Sequence, residues 1–158
     1  MNRWLVAGTF ALLAQAAVAQ TPAPEDALLY IISPKEGQRI KGPFWVQFGL
    51  RNMGVTRAGD TAANVGHHHL LVNADAKDLD ANAPIPTDRR HLHFGGGQTE
   101  TRLDLPPGKH TLQLVLGDAE HKLFKPLLVS QKVAISVLDP AAAPPRKAKS
   151  KRSRSRTR

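Results

Sequence analysis

The chain has 158 residues, no cysteine, a formal net charge of +9 and an apolar fraction of 41%. The missing cysteines exclude disulfides, thiolate metal sites, a cysteine nucleophile and a lipid-modified N-terminal cysteine. The charge is unevenly placed: Arg3 and the eight basic residues between Arg146 and Arg158 hold the whole excess, and the stretch between them is formally neutral.

Residues 1–19 read as a cleavable signal peptide. Met1-Asn2-Arg3 is a short positive start, Trp4 to Leu13 is apolar, and Ala17-Val18-Ala19 supplies the small residues before a cut at Gln20. The segment is too short for a span of ~20 apolar residues and has no positive flank on its far side. Residues 20–26 are rich in proline and alanine and form a linker. The folded domain is expected over 27–139, large enough for one core.

Within it, Ala27 to Ser33 is a compact apolar run ended by the turn Pro34-Lys35-Glu36-Gly37. Phe44, Val46, Phe48 and Leu50 alternate with Trp45, Gln47 and Gly49, the period of a half-buried strand. Asn52 to Val65 is polar and reads as a long loop. His67 to Ala74 is a further strand, Asp75 to Arg90 an excursion, and His91 to Phe94 a short strand stopped by three glycines. Thr99, Thr101, Leu103 and Leu105 alternate up to the turn Pro106-Pro107-Gly108. Leu112, Leu114 and Leu116 mark the next strand, and Val133, Ile135 and Val137 the last. Short strands at this spacing predict an all-β fold, a small antiparallel β-sandwich of immunoglobulin-like architecture. Residues 140–158 are a Pro/Ala linker and a Lys/Arg/Ser tail that can bury nothing and is expected to be disordered.

Five of the seven histidines fall in two clusters, His67-His68-His69 and His91-Leu92-His93. Side chains alternate between the faces of a strand. With Leu70 and Val72 facing the core, His68 points inward and His67 and His69 away from it. With Leu92 and Phe94 inward, His91 and His93 also point away. If the two strands are neighbours, His67, His69, His91 and His93 can converge on one ion. Imidazole ligands without sulfur favour Cu(II) or Zn(II). Gln98 and Glu100 are candidates to support the ligands, and His121 is a possible extra one. Asp118 reads as an ordinary turn residue after Gly117. The other reading is equally open: the clusters form a structural hydrogen-bond network, as expected for His68.

Several stretches together resemble a known family. They are Ile32-Ser33-Pro34-Lys35-Glu36-Gly37, Gly66-His67-His68-His69-Leu70-Leu71-Val72, Ala83-Pro84-Ile85-Pro86, His91-Leu92-His93-Phe94-Gly95 and Gly97-Gln98-Thr99-Glu100-Thr101. Leu105-Pro106-Pro107-Gly108-Lys109-His110-Thr111-Leu112-Gln113-Leu114 and Leu116-Gly117-Asp118 complete the set. The family is the bacterial secreted domain of unknown function numbered 4399, and the resemblance runs from about Leu28 to Leu138. It implies a bacterial exported domain and no established activity. It also leads one to expect further histidines after Asp118, where this chain has only His121, followed by Lys122-Leu123-Phe124.

The expected function is a periplasmic or secreted binding module holding a copper or zinc ion. The alternative is an envelope-structural or protein/glycan interaction domain without metal. An enzyme is not expected: Ser33, Ser130 and Ser136, the serines outside the tail, sit in no nucleophile motif. The tail residues Arg146, Lys147, Lys149, Lys151, Arg152, Arg154, Arg156 and Arg158 are expected to meet an anionic envelope surface. Nucleic acid is not an expected partner, since no aromatic residue is interleaved to stack on bases.

Overall fold

The computed structural model describes residues 20–139. The expected leader, 1–19, and the tail, 140–158, lie outside them. Nine strands follow in order: β1 (Leu28–Ser33), β2 (Arg39–Lys41), β3 (Phe44–Arg51), β4 (Gly54–Val55), β5 (Val65–Val72), β6 (His91–Phe94), β7 (Glu100–Leu103), β8 (Gly108–Gly117) and β9 (Val133–Leu138). A single 3-10 turn, Ala76–Asp78, interrupts the excursion after β5. Among the described residues no helix is long and apolar enough to cross a membrane.

The strands form the expected β-sandwich. One sheet has the order β1-β3-β7; the other runs β2-β9-β8-β5-β4, with β6 also paired to β5. The main ladders are antiparallel, and two short parallel pairs, β2–β9 and β4–β5, finish the second sheet. β4 lies within the stretch that reads as a loop, and β2 follows the turn at Pro34–Gly37 in a stretch given no strand, because two or three residues are too few to show a period.

Alternation builds the inter-sheet core. Phe44, Val46 and Phe48 of β3 face Leu112, Leu114 and Leu116 of β8, with Leu70 and Val72 of β5 beside them, all in one buried cluster. Each large aliphatic side chain buried there contributes about 1.5–3 kcal/mol.

A second buried layer lies on the other side of the β5–β8 pair. Leu71 and Val115, whose parity turns them away from the inter-sheet core, are fully buried with Ala76, Ile85 and Leu123. The covering chain comes from the segments 73–90 and 118–130. Buried Gln113 ties both of them to β8: its Oε1 accepts from Ala76 N at 3.1 Å, and its Nε2 donates to Ser130 O at 3.1 Å. The "outer" face of β5 is therefore interior, which the strand period alone cannot reveal.

Candidate metal centre

β5 lies between β8 and β6, and the registers fix the histidines. His69 is opposite His93 of β6, and His67 is opposite Gly117 of β8. Antiparallel partners share a face, so His67, His69 and His93 project together into the second buried layer. Glycines make the room. A Cβ on Gly117 would lie 2.8 Å from His69 Nε2 and 3.4 Å from His67 Nε2, and one on Gly95 would lie 2.6 Å from His93 Nε2. Any side chain at these two positions would occupy the space that the imidazoles fill.

The three rings meet closely. His67 and His69 are fully buried, and one nitrogen from each of His67, His69 and His93 lies within 4.8 Å of the other two. His67 Nε2 and His69 Nε2 are 3.1 Å apart. Two imidazole nitrogens bound ~2.1 Å from a tetrahedral ion are ~3.4 Å apart, so this separation is close to one edge of a coordination shell. His93 Nε2 is buried without a protein partner, a lone pair that an ion would engage. The donor set therefore fits an imidazole-bound first-row ion. His67 Nδ1 and His69 Nδ1 also lack partners. Packing, rather than the carbonyls or carboxylates that commonly hold metal-bound imidazoles, orients these rings.

The electrostatics keep the rings neutral. Burial, reinforced by neighbouring His121 and His93, lowers the His67 pKa to about 4, against an opposing pull from Asp118. Burial and the rings of His67, His93 and His121 push His69 down to about 3. His93 is lowered by burial and by His121. Neutral imidazole is the form that binds metal.

The remaining expected residues are distributed differently. His91 is not brought to the group. It shares the parity of His93 but pairs with Leu71, two residues further along β5, and its Nδ1 is 3.0 Å from the Asp88 carboxylate. The sequence shows two matched His-x-His pairs, but the offset of the strands lets only three of those four rings meet. His121 does join them: its ring centre is 4.7 Å from that of His93 and 4.9 Å from that of His67. Glu100 is exposed on β7, in the other sheet, where its carboxylate accepts from Gln47 Nε2 at 3.2 Å. The Gln98 side chain accepts from Gly96 N at 2.9 Å. Neither of these two side chains supports the ligands.

His68 lies in the inter-sheet core as its parity requires, against Phe48 at 5.1 Å, with Nδ1–H donating to Gln98 O at 3.2 Å. Burial lowers its pKa to about 4. His110 is also structural, accepting from Asn73 Nδ2 at 3.0 Å and donating to Pro106 O at 2.8 Å. The residue that sequence reasoning undervalued is Asp118. It is buried, 6% exposed, and its Oδ1 accepts from Glu120 N at 2.9 Å and Lys122 N at 2.8 Å. Its Oδ2 accepts from Thr21 Oγ1 at 2.6 Å. An aspartate that accepts from the backbone two residues on is an Asx-turn, a pattern present in Asp118-Ala119-Glu120.

No curated protein and no solved structure matches the chain. The model of a domain of unknown function, DUF4399, matches residues 46–138, a span that contains every strand of the histidine group and the loop carrying His121. With its β-sandwich and its family motifs in place, the chain belongs to the DUF4399 family.

Proposed function

We propose that this chain is an exported binding module that holds a Zn(II) or Cu(II) ion through His67, His69 and His93. One observation carries the reading: three imidazoles from two adjacent strands each bring a nitrogen within 4.8 Å of the other two, inside the protein. The two glycine gaps at Gly95 and Gly117 support it, because they leave space for rings rather than filling it with apolar side chains. Export is supported by the leader-like features of residues 1–19. Binding is favoured over catalysis: the Ser130 hydroxyl, for one, accepts from Leu114 N and donates to Gln131 O, which commits it to the fold.

Calorimetric titration of the untagged protein with Zn(II) and Cu(II) tests the reading. The expected result is one-to-one binding that is lost in the His67→Ala/His93→Ala double variant and kept in His91→Ala. A folded protein that takes up neither ion at micromolar concentration would overturn it. A second reading rests on the 3.1 Å contact between His69 and His67: a buried hydrogen-bonded pair that specifies the sheet in a metal-free interaction domain. Under that reading, the same double variant lowers stability and no ion raises it.

A further inference from the structure

We infer that the site is a four-imidazole, tetrahedral centre of the zinc type, completed by His121 on a loop that Asp118 and Thr21 hold in place. This rests on the metal-binding reading above and extends it to the fourth ligand, the geometry and the class of ion.

The geometry comes from the six separations between the ring centres of His67, His69, His93 and His121. Five lie between 4.7 and 5.0 Å, and the sixth, His69 to His121, is 6.0 Å. An ion ~2.1 Å from each ligating nitrogen is ~3.2 Å from each ring centre. Four such rings at the corners of a tetrahedron are all ~5.2 Å apart, whereas a square places four pairs at ~4.5 Å and two at ~6.4 Å. A square requires two long diagonals, and these four rings have one longer separation among six. The four ring centres form a tetrahedron stretched along a single edge; His67, His69 and His93 already bring nitrogens within 4.8 Å of one another, and His121 joins them as a ligand by turning its ring inward. Zn(II) takes this geometry readily, and Cu(II) prefers a tetragonal one. His121 is only partly buried and is the ring furthest from His69.

The loop is built to hold that ring. His121 has φ 66°, a left-handed conformation that costs a non-glycine residue roughly 1 kcal/mol or more and persists where its surroundings impose it. Its N–H donates to Asp118 O at 3.0 Å, and its carbonyl accepts from Ile85 N at 2.7 Å. The buried Asp118 carboxylate gathers the turn and is itself bound by Thr21 Oγ1. The backbone of Thr21 accepts from Lys125 N at 2.9 Å, and Ala23 N donates to Lys125 O at 3.0 Å. The first residues after the expected cleavage point thus clasp both ends of the loop that carries His121. Asp118 and Thr21 are positioning residues, acting on the ion through His121.

The test uses the untagged full chain, stripped of metal and loaded with Co(II), whose visible spectrum reports coordination number, followed by displacement with Zn(II). The expected parent spectrum has the intense bands of four-coordinate cobalt, displaced by one equivalent of Zn(II). His121→Asn keeps a residue that tolerates the left-handed backbone and removes the imidazole. It is expected to weaken Zn(II) binding at least about tenfold and to shift the cobalt spectrum toward higher coordination as water enters. Thr21→Val is expected to weaken binding by less than His121→Asn while keeping the four-coordinate spectrum. A His121→Asn protein with the parent's affinity and spectrum would overturn this inference and leave the three-histidine site standing. A weak, six-coordinate spectrum in the parent would overturn the tetrahedral assignment. Failure of the parent to bind Co(II), Zn(II) or Cu(II), with the fold intact, would overturn the metal-binding reading itself.

Discussion

At the scale of single residues, the cost of this site is set by burying imidazoles that would rather be charged in acid. An unperturbed histidine titrates near 6.5, whereas His67, His68 and His69 in the folded chain titrate at about 4, 4 and 3. Between those values the unfolded chain binds more protons than the folded one. Stability is therefore fully present above pH 6.5 and is lost as the pH falls, by up to ~1.4 kcal/mol per pH unit for each histidine. The metal-free protein is expected to show a steep drop in its urea midpoint between pH 6.5 and 4. A midpoint that stays level from pH 7 to pH 5 would contradict the burial of these rings. Bound metal moves the drop to lower pH, because protons must then displace the ion as well.

At the scale of elements, the alternation that betrays a strand gave correct faces but not correct depths. The parity of His67, His69 and His93 was legible in Leu70, Val72, Leu92 and Phe94, because neighbouring side chains must point oppositely. The burial of that second face was not legible. It depends on the segments 73–90 and 118–130 folding back over Leu71 and Val115, and such long-range covering leaves no local period. The register between β5 and β6 was hidden for the same reason, and with it the divergence of His91. A direct check is Leu71→Ala. In a solvent-facing strand position the change would cost about 0.5 kcal/mol or less. Under the second layer it is expected to cost about 2–5 kcal/mol, measured by denaturant unfolding at neutral pH.

For the whole molecule, the family match ends at residue 138, and the cationic stretch from Arg146 to Arg158 lies beyond it, outside the described residues. Deletion of residues 140–158 is expected to leave the thermal midpoint and zinc affinity unchanged. Retention on anionic vesicles at low salt is expected to fall, since each basic residue near such a surface contributes about 1 kcal/mol and salt screens it. Equal retention of the full and truncated chains would remove the envelope-surface role. The neutrality of the body between Arg3 and Arg146 was plain in the sequence; the clasp between Thr21 and Asp118 was not, since 97 residues separate them.

The rims of the two sheets carry a last consequence. A free strand edge is a template for another chain, and proteins blunt it with brevity, charge or a bulge. Here β2 is three residues long with Arg39 and Lys41 at its ends, β4 has two residues, and β6 and β7 have four each. The one longer rim, β1, shifts register between Ile31 and Ser33. A polypeptide with no cysteines to lock it shut thus offers little for a second copy to zip onto. Borders so short, charged or bulged work against edge-to-edge pairing, and the interior is left free to carry histidines.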